Sequence, residues 1–233
     1  MPAQIPIALD TALKTDLPTP SAHKLDWMVS RGLTDYDDAM AAMEARIAAI
    51  HNGTAGEMIW LLEHPPVYTA GTSAKESDLL NPGDALIRHV GRGGEWTYHG
   101  PGQRVVYIML DLNTRGQDVR RYVQHVEDFA ITTLAQLGIT ADRRTGYPGV
   151  FVPSENGHTP PDKITAIGVR LTKWISWHGM AINLNPELSA FDGIVPCGIH
   201  DGGVTTINAH KPDVTLDDLD AALYASFADS FPF

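Results

Sequence analysis

The sequence predicts an α+β domain in which helices flank a mixed or antiparallel sheet. Runs rich in β-branched and aromatic residues, which are typical of strands, follow one another in groups. Stretches with helical periodicity stand between these groups, without the regular alternation of strand and helix found in βαβ units. With 233 residues and a hydrophobic content of 43%, the chain is long enough to bury a substantial core.

The first helix is predicted within residues 34–53, "TDYDDAMAAMEARIAAIHNG". Apolar residues recur there at helical spacing, namely Met40, Met43, Ile47 and Ile50. Thr34 and Asp37 have the spacing of an N-terminal cap, and Gly53 is suited to end the helix.

Two strands are predicted around a glycine-rich stretch. The first, "EMIWLLEH" (57–64), runs into "PPVYTAGT" (65–72), whose paired prolines lack the backbone donors that a central strand needs. The second is "RVVYIMLDL" (104–112). We expect the chain between them to form a loop with a function.

The second helix is predicted over residues 118–138. Its apolar face would carry Val119, Tyr122, Val126, Phe129, Thr133 and Leu137. Three strands should follow, "GVFV" (149–152), "KITAIGVRLT" (163–172) and "WISWHGMAINLN" (174–185), with a flexible loop before the second of them. Thr215 and Asp218 have capping spacing and predict a final helix at the end of the chain.

The N-terminal residues differ from the rest in composition. Residues 1–25 contain several prolines and match neither a secretory signal nor a membrane anchor. We therefore expect a flexible arm over 1–25 and a single domain over 26–233.

Charge and cysteine content exclude several classes of function. A net charge of -11 argues against general binding of nucleic acids, which requires a basic face. Cys197 is the only cysteine, so an intramolecular disulfide and a zinc site with two thiolates are both excluded. This cysteine usage indicates a reducing, cytoplasmic environment.

The glycine-rich stretch "GRGGEWTYHG" (91–100) fits neither common nucleotide-binding motif. It lacks the Gly-Lys-Ser/Thr ending of a P-loop, and Trp96 stands where a dinucleotide fingerprint needs its third glycine. Gly93 and Gly94 would let the backbone approach a ligand closely, with Tyr98 and His99 beside it. A tight turn between two strands is the alternative.

A single cysteine is most often a buried apolar residue, so Cys197 needs an activator before it can be called a nucleophile. His99, His178 or His200 could act as a base, and the ammonium of Lys163 could favour the thiolate. The spacing of these residues does not choose among them. A further alternative is a zinc site built from three of the four histidines His64, His99, His178 and His200, although no HExxH-type spacing occurs.

Four segments together resemble the lipoyl(octanoyl) transferases, which transfer octanoyl groups from acyl carrier protein to proteins. They are "LLEHPPVYTAG" (61–71), "GRGGEWTYHGPGQ" (91–103), "KITAIGVRLTKWISWHGMAINLN" (163–185) and "FDGIVPCGIHDGGVTTI" (191–207). They stand in the order found in the family and are spread over most of the chain.

The resemblance implies the fold of the biotin protein ligase and lipoate ligase catalytic domain. It also implies that Cys197 is the nucleophile that forms an acyl thioester and that Lys163 lowers the pKa of its thiol. The substrate contacts that it implies are Arg92, Gly93, Gly94, Glu95, Trp96, Thr97, Tyr98, His99, Ala166, Ile167, Gly168, Gly179, Met180 and Ala181.

The resemblance further implies the substrates of the reaction. The donor would be octanoyl-acyl carrier protein, and the acceptor a lysine of apo lipoyl domains in 2-oxoacid dehydrogenase acyltransferase subunits and in the glycine cleavage H protein. No ATP, metal, nucleic acid or membrane would be needed. The nearest alternative is an ATP-dependent lipoate or biotin protein ligase; a noncatalytic acyl-binding domain and a Cys-His hydrolase are more distant ones.

Overall fold

The computed structural model describes residues 25–154, 157, 159–195 and 202–231. The strands in these residues are β1 Leu25–Leu33, β2 Glu57–Glu63, β3 Val67–Ala70, β4 Leu86–His89, β5 Trp96–His99, β6 Gln103–Met109, β7 Asp142–Arg144, β8 Tyr147–Val152, β9 Asp162–Thr172 and β10 Ile175–Asn183. The α-helices are α1 Tyr36–His51, α2 Val119–Gln136, α3 Ile207–His210 and α4 Leu216–Ser230. None of the described helices is long and apolar enough to cross a bilayer.

The strands form one large and one small sheet. The large sheet has the order β1-β2-β6-β10-β9-β8-β7, in which β1 and β2 are parallel and the other pairs are antiparallel. The small sheet has the order β4-β3-β5. A mixed sheet with helices against it confirms the predicted α+β class.

Helices cover both faces of the large sheet. One face packs against α2 and α4 through a core that includes Phe129, Leu134 and Phe227. The other packs against α1 through Met43 and Ile47. Successive residues of a strand face opposite sides, so a strand covered on both faces is apolar throughout. This explains why β6 is buried along its whole length and was easy to predict.

The predicted ends of the helices hold with one correction. Asp35, rather than Thr34, is the N-cap of α1, and its carboxylate accepts from the backbone N–H groups of Asp37 and Asp38. Asp35 is in position to reach both donors because it directly precedes the first helical turn. At α4 the predicted capping box of Thr215 and Asp218 is present.

The small sheet was not predicted from the sequence, and neither were β1 and β7. The expectation of a loop is wrong for Trp96–His99, which forms β5 and pairs with β3. Strands of four residues next to prolines and glycines leave little periodic pattern to detect. The predicted arm lies outside the described residues except for Leu25, which begins β1.

Candidate active site

A cavity of about 480 Å³ lies where the small sheet meets the large one. Its wall brings together segments that are far apart in the sequence: the glycine-rich stretch before β5, the middle of β6, and the facing parts of β9 and β10. The predicted site residues that line it are Arg92, Gly93, Gly94, Glu95, Thr97, His99, Lys163, Ala166, Ile167, Gly168, Gly179, Met180 and Ala181.

Trp96 and Tyr98, which were also predicted as substrate contacts, do not line the cavity. Side chains alternate along β5, so Thr97 and His99 face the cavity while Trp96 and Tyr98 face the opposite side. The indole of Trp96 donates to the carbonyl oxygen of Lys75 at 2.8 Å. The ring of Tyr98 packs edge-on against Phe191, with centroids 5.5 Å apart. Both residues therefore support the small sheet.

Small residues form the part of the cavity wall that belongs to the large sheet. Gly168 lies directly opposite Gly179, and Ala166 lies opposite Ala181 one step along the same face. Because glycine has no side chain and alanine only a methyl group, these four residues leave space above the sheet for a ligand. Gly179 has φ 156°, and a Cβ there would lie 2.3 Å from the carbonyl oxygen of Val106. Only glycine fits that position.

Lys163 faces the cavity because of a β-bulge. Val150 pairs with Thr165 and the next residue, Phe151, pairs with Lys163, so Ile164 is the extra residue. Without the bulge, Lys163 and Ala166 would face opposite sides of the sheet, because they are three residues apart.

The Lys163 side chain is almost completely buried, with 4% of its surface exposed. Its Nζ donates to the carbonyl oxygen of Pro148 at 3.2 Å and lies 5.2 Å from the centroid of the Phe151 ring. A carbonyl oxygen and an aromatic face are both groups that favour a neighbouring cation. The Lys163 side chain is thus buried between two such groups in the cavity wall.

The chain that follows the cysteine segment is attached beside Lys163. The backbone N–H of Lys163 donates to the carbonyl oxygen of Gly203 at 2.9 Å, and the N–H of Thr205 donates to the carbonyl oxygen of Lys163 at 3.0 Å. Asp162 adds a side-chain bond by accepting from the N–H of Gly203 at 3.0 Å. A Cβ at Gly203 would lie 2.3 Å from that carboxylate, so the close approach requires glycine.

Cys197 lies outside the described residues, as does His200. The chain before this segment is also attached, since the N–H of Val195 donates to the carbonyl oxygen of Asp78 at 2.8 Å. The predicted contact between Cys197 and Lys163 therefore stays a prediction.

Three of the candidate histidines, His64, His99 and His178, lie close together at the buried side of the site. Burial is the main cause that lowers their pKa values, to about 4 for His64 and about 3 for His99 and His178. The positive charge of Arg92 acts in the same direction on His99 and His178. All three are therefore neutral at physiological pH, and the described residues contain no group of side chains suited to hold a metal ion.

His178 has a strained backbone as well as a buried ring. Its φ is 59°, in the left-handed region, although it lies inside β10. Left-handed backbone in a residue other than glycine is costly and is often found at functional sites. The ring lines the cavity and makes an edge contact with Tyr107, with centroids 6.1 Å apart.

Arg92 holds the glycine-rich stretch against the small sheet. Its Nη2 donates to the backbone and side-chain oxygens of Thr69, at 2.7 and 2.8 Å, and its Nη1 donates to the carbonyl of Gly93 at 3.0 Å. A buried guanidinium used in this way shapes the cavity and also places a positive charge in its wall.

Sequence reasoning missed several residues of the cavity wall. One of them, Val169, is the neighbour of the predicted Gly168. The others are Tyr36, Ser73, Val105, Tyr107, Val119, Val123, Gly146, Tyr147 and Pro148. Val119 was predicted to lie in the core, yet 42% of it is exposed at the beginning of α2. The Gly-Tyr-Pro sequence (146–148) at the beginning of β8 was the one available signal, since the junction of a turn and a strand is often part of a site.

Comparisons with known proteins agree with this architecture. The family profile of the lipoyl protein ligase A/B catalytic domain matches residues 35–228. A relative from Cereibacter sphaeroides named octanoyltransferase is 53% identical over 214 residues, which cover 89% of this chain and 98% of the relative. An octanoyltransferase from Dinoroseobacter shibae is 53% identical over 213 residues, covering 89% and 97%.

The fold is also similar to that of solved lipoate ligases. A bipartite lipoate protein ligase from Thermoplasma acidophilum superposes with a TM-score of 0.63 at 15% identity, covering 89% of this chain and 83% of that one. At this identity the likeness concerns the fold alone. It confirms the expected lipoate ligase fold.

Proposed function

The chain belongs to the octanoyltransferases of the lipoyl protein ligase A/B catalytic domain family, and from this premise we propose a two-step reaction through a thioester on Cys197. The donor is octanoyl-acyl carrier protein, and the acceptor is a lysine amine of an apo lipoyl domain. One observation carries the proposal. The chain that follows Cys197 is hydrogen-bonded to the backbone of Lys163, whose buried ammonium faces the cavity.

The length of the chain limits how far Cys197 can lie from these attachments. It is two residues after Val195, which is bonded to Asp78, and five before Gly202. Both ends of this short segment are therefore attached to described residues, at Asp78 before it and at Lys163 after it.

In the first step, the Cys197 thiolate attacks the carbonyl carbon of the donor thioester. The new C–S bond forms on the enzyme, the C–S bond to the phosphopantetheine arm breaks, and the carrier protein leaves as its thiol after taking up a proton. The Lys163 ammonium favours the thiolate electrostatically. Exchange of one thioester for another is nearly neutral in free energy, so no energy source is needed.

In the second step, the amine of the lipoyl-domain lysine attacks the enzyme thioester. A C–N bond forms, the bond to Cys197 breaks, and the thiolate returns to its place beside Lys163. Amides are more stable than thioesters, so this step drives the cycle. The scheme is covalent catalysis with two protein substrates that bind in turn.

The octanoyl chain fits the apolar part of the cavity. Ala166, Gly168, Gly179 and Ala181 leave a shallow trough on the sheet, and Ile167 also lines the cavity. Burial at about 0.8 kcal/mol per methylene gives an eight-carbon chain on the order of 5 kcal/mol. A trough of limited length then selects for chain length.

Because the donor already carries a thioester, the proposal needs no ATP and no metal. Acceptors would include the lipoyl domains of 2-oxoacid dehydrogenase acyltransferase subunits and the glycine cleavage H protein. A thiolate nucleophile requires a reducing environment, so a cytoplasmic location is part of the proposal. An ATP-dependent ligase is the competing function, because solved lipoate ligases share the fold.

Intact mass spectrometry after mixing with octanoyl-acyl carrier protein, without ATP, tests the proposal. We expect one octanoyl group on the wild-type protein, none on Cys197→Ala, and loss of the group when an apo lipoyl domain is added. If the carrier protein stays acylated and no adduct forms, the covalent mechanism is wrong. ATP-dependent octanoylation of the lipoyl domain by Cys197→Ala would instead establish the ligase.

A further inference from the structure

The ring of His99 lines the cavity, and among the described residues only one of its two nitrogens has a hydrogen-bond partner. Its Nδ1 lies 2.7 Å from Oε1 of Gln103. The Gln103 amide nitrogen donates to the carbonyl oxygen of Tyr98 at 3.1 Å and to Oδ1 of Asn183 at 3.0 Å, so the amide must turn its oxygen towards His99. The ring hydrogen is therefore on Nδ1, and Nε2 carries a lone pair. No described residue donates a hydrogen bond to this Nε2.

The two other buried candidate histidines, of which only His178 lines the cavity, are less suited to accept a hydrogen bond from a substrate. His64 uses both nitrogens, since Nδ1 donates to the carbonyl oxygen of Thr34 and Nε2 accepts from the Tyr107 hydroxyl, each at 2.7 Å. His178 lies opposite Val169 on β9, several residues along the strand from Lys163.

Hydrogen bonds connect the support of His99 to Lys163. Gln103 bonds to Asn183, the amide nitrogen of Asn183 donates to the Thr205 carbonyl at 3.1 Å, and the Thr205 N–H donates to the Lys163 carbonyl at 3.0 Å. The strands β6, β10 and β9 are neighbours spaced about 4.8 Å apart, so Gln103 and Lys163 stand roughly 10 Å apart across the sheet. His99 and Lys163 both line the cavity.

We propose that Nε2 of His99 accepts a hydrogen bond from the attacking amine of the acceptor lysine, and that Gln103 positions His99 for this role. This inference rests on the proposed function, because it concerns the second step of that reaction. The bond aims the nitrogen lone pair at the thioester carbonyl, and correct orientation of reacting groups accounts for large rate factors.

The bonds and protons of the step balance without oxidation or reduction. The acceptor lysine first releases a proton to water and reacts as the neutral amine. Its nitrogen forms a bond to the carbonyl carbon while the bond to the Cys197 sulfur breaks. The second proton lost by nitrogen passes to water, and the sulfur leaves as the thiolate that Lys163 favours. The neutral ring of His99 gains no additional proton.

The surroundings keep His99 an acceptor over a wide pH range. The pKa of His99 is lowered to about 3, mainly by burial and also by the nearby His64, Arg92 and His178, and Gln103 alone opposes them. A protonated imidazole would have no lone pair on Nε2 and would repel an incoming ammonium. The neutral ring keeps the lone pair and does not repel the substrate.

The first test measures the two steps separately on His99→Phe, by intact mass of the enzyme over time. We expect octanoylation of the enzyme to stay within about threefold of wild type and transfer to the lipoyl domain to slow about 100-fold. His99→Gln, which returns an oxygen near the position of Nε2, should recover part of the transfer rate. His51→Ala, at an exposed histidine in the last turn of α1, is the matched control and should transfer normally.

The second test uses Gln103→Glu, which keeps the hydrogen bond and adds a negative charge. A carboxylate raises the pKa of His99, so Nε2 becomes protonated as the pH falls. The ratio of transfer rates, variant over wild type, should then drop progressively as the pH falls from 8 to 6, while the ratio of octanoylation rates stays flat. This variant also keeps the inference testable if His99→Phe does not fold.

Equal transfer rates in His99→Phe and wild type would overturn the inference, as would an equal loss of octanoylation and transfer. A flat transfer ratio for Gln103→Glu would overturn the positioning role. Absence of octanoylation in the wild-type enzyme itself would overturn the proposed function first, and this outcome is visible before any variant is compared.

Discussion

The two ends of the cavity are built by opposite means. At the reactive end, Lys163 and His99 are held by hydrogen bonds that connect them through β6, β10 and the chain after Cys197. At the other end, the facing Gly168 and Gly179 form the wall by having no side chains. In the proposed reaction, chemistry therefore depends on polar groups with fixed partners, whereas the room for the acyl chain depends on side chains that are absent. Substitutions at the two ends should fail in different ways.

The largest effect is expected at the reactive end, from Lys163→Met. This change removes the buried side-chain nitrogen but keeps most of the volume, so under the proposed mechanism the thiolate of Cys197 would lose its stabilisation. We expect octanoylation of the enzyme to slow by about 10²–10⁴-fold at pH 7, measured by intact mass. The rate should recover partly at high pH, where the thiol ionises without help. Lys75→Met, at an exposed lysine, is the control, and an octanoylation rate near wild type in Lys163→Met would remove Lys163 from the mechanism.

Gly179→Ala should lose stability rather than chemistry. Its Cβ would lie 2.3 Å from the Val106 carbonyl, and its φ of 156° is unfavourable for alanine. Strain and overpacking together should lower the free energy of unfolding by about 3 kcal/mol, measured by urea denaturation. Gly32→Ala is the matched control, since Gly32 also has a positive φ, 73°, but no atom lies near its Cβ position. Equal losses in the two variants would show that backbone strain alone matters at Gly179.

Acid should destabilise the whole region around the buried histidines. The pKa values of His64, His99 and His178 are lowered from 6.5 to between about 3 and about 4 in the folded state, so below pH 6.5 the unfolded chain binds more protons. The contribution of these histidines to the free energy of unfolding is therefore fully present above pH 6.5. Below pH 6.5 the free energy of unfolding decreases as the pH falls, by about 1.4 kcal/mol per pH unit for each histidine. Urea denaturation at pH 7.0 and 5.5 measures the loss.

His178→Asn identifies the contribution of one ring. Asparagine tolerates the positive φ at this position and does not titrate in this range. The variant should lose about 1.4 kcal/mol less per pH unit than wild type. The same slope in both proteins would mean that His178 is protonated in the folded state.

The smallest effect is expected from Ala166→Val, in the trough formed by the small residues of β9 and β10. Two added methyl groups beside Ala181 should shorten the room for the acyl chain without touching Lys163. We expect octanoyl transfer to fall about tenfold, the equivalent of 1.4 kcal/mol, and hexanoyl transfer to change little. Competition between the two donors, read by mass, measures the preference. An equal loss with both donors would place the acyl chain elsewhere.

Sequence reasoning predicted the long elements well because their signals are local. Helix α2 repeats apolar residues at the helical period, and strands β6, β9 and β10 are long runs rich in β-branched and aromatic residues. The small sheet was not predicted because its strands are only four residues long and are stabilised by pairing with each other. The same limit applies to the bulge at Ile164, which depends on pairing with β8.

The candidate site was predicted mainly through the resemblance of four segments to a family, and that resemblance is confirmed. The resemblance treats Arg92 to His99 as one continuous contact, whereas the structure divides this stretch into residues that face the cavity and residues that support the small sheet. The arm over 1–25, the single domain over 26–233 and the role of Cys197 stay predictions.

By itself, the sequence determined the α+β class, the single thiol and the residues available for chemistry, since composition and periodicity need no partner. The tertiary structure alone decided that Lys163 faces the cavity, that His99 keeps a lone pair on Nε2, and that Gly168 of β9 lies opposite Gly179 of β10. Each of these depends on contacts between residues distant in sequence, and such contacts exist only once the sheet has formed.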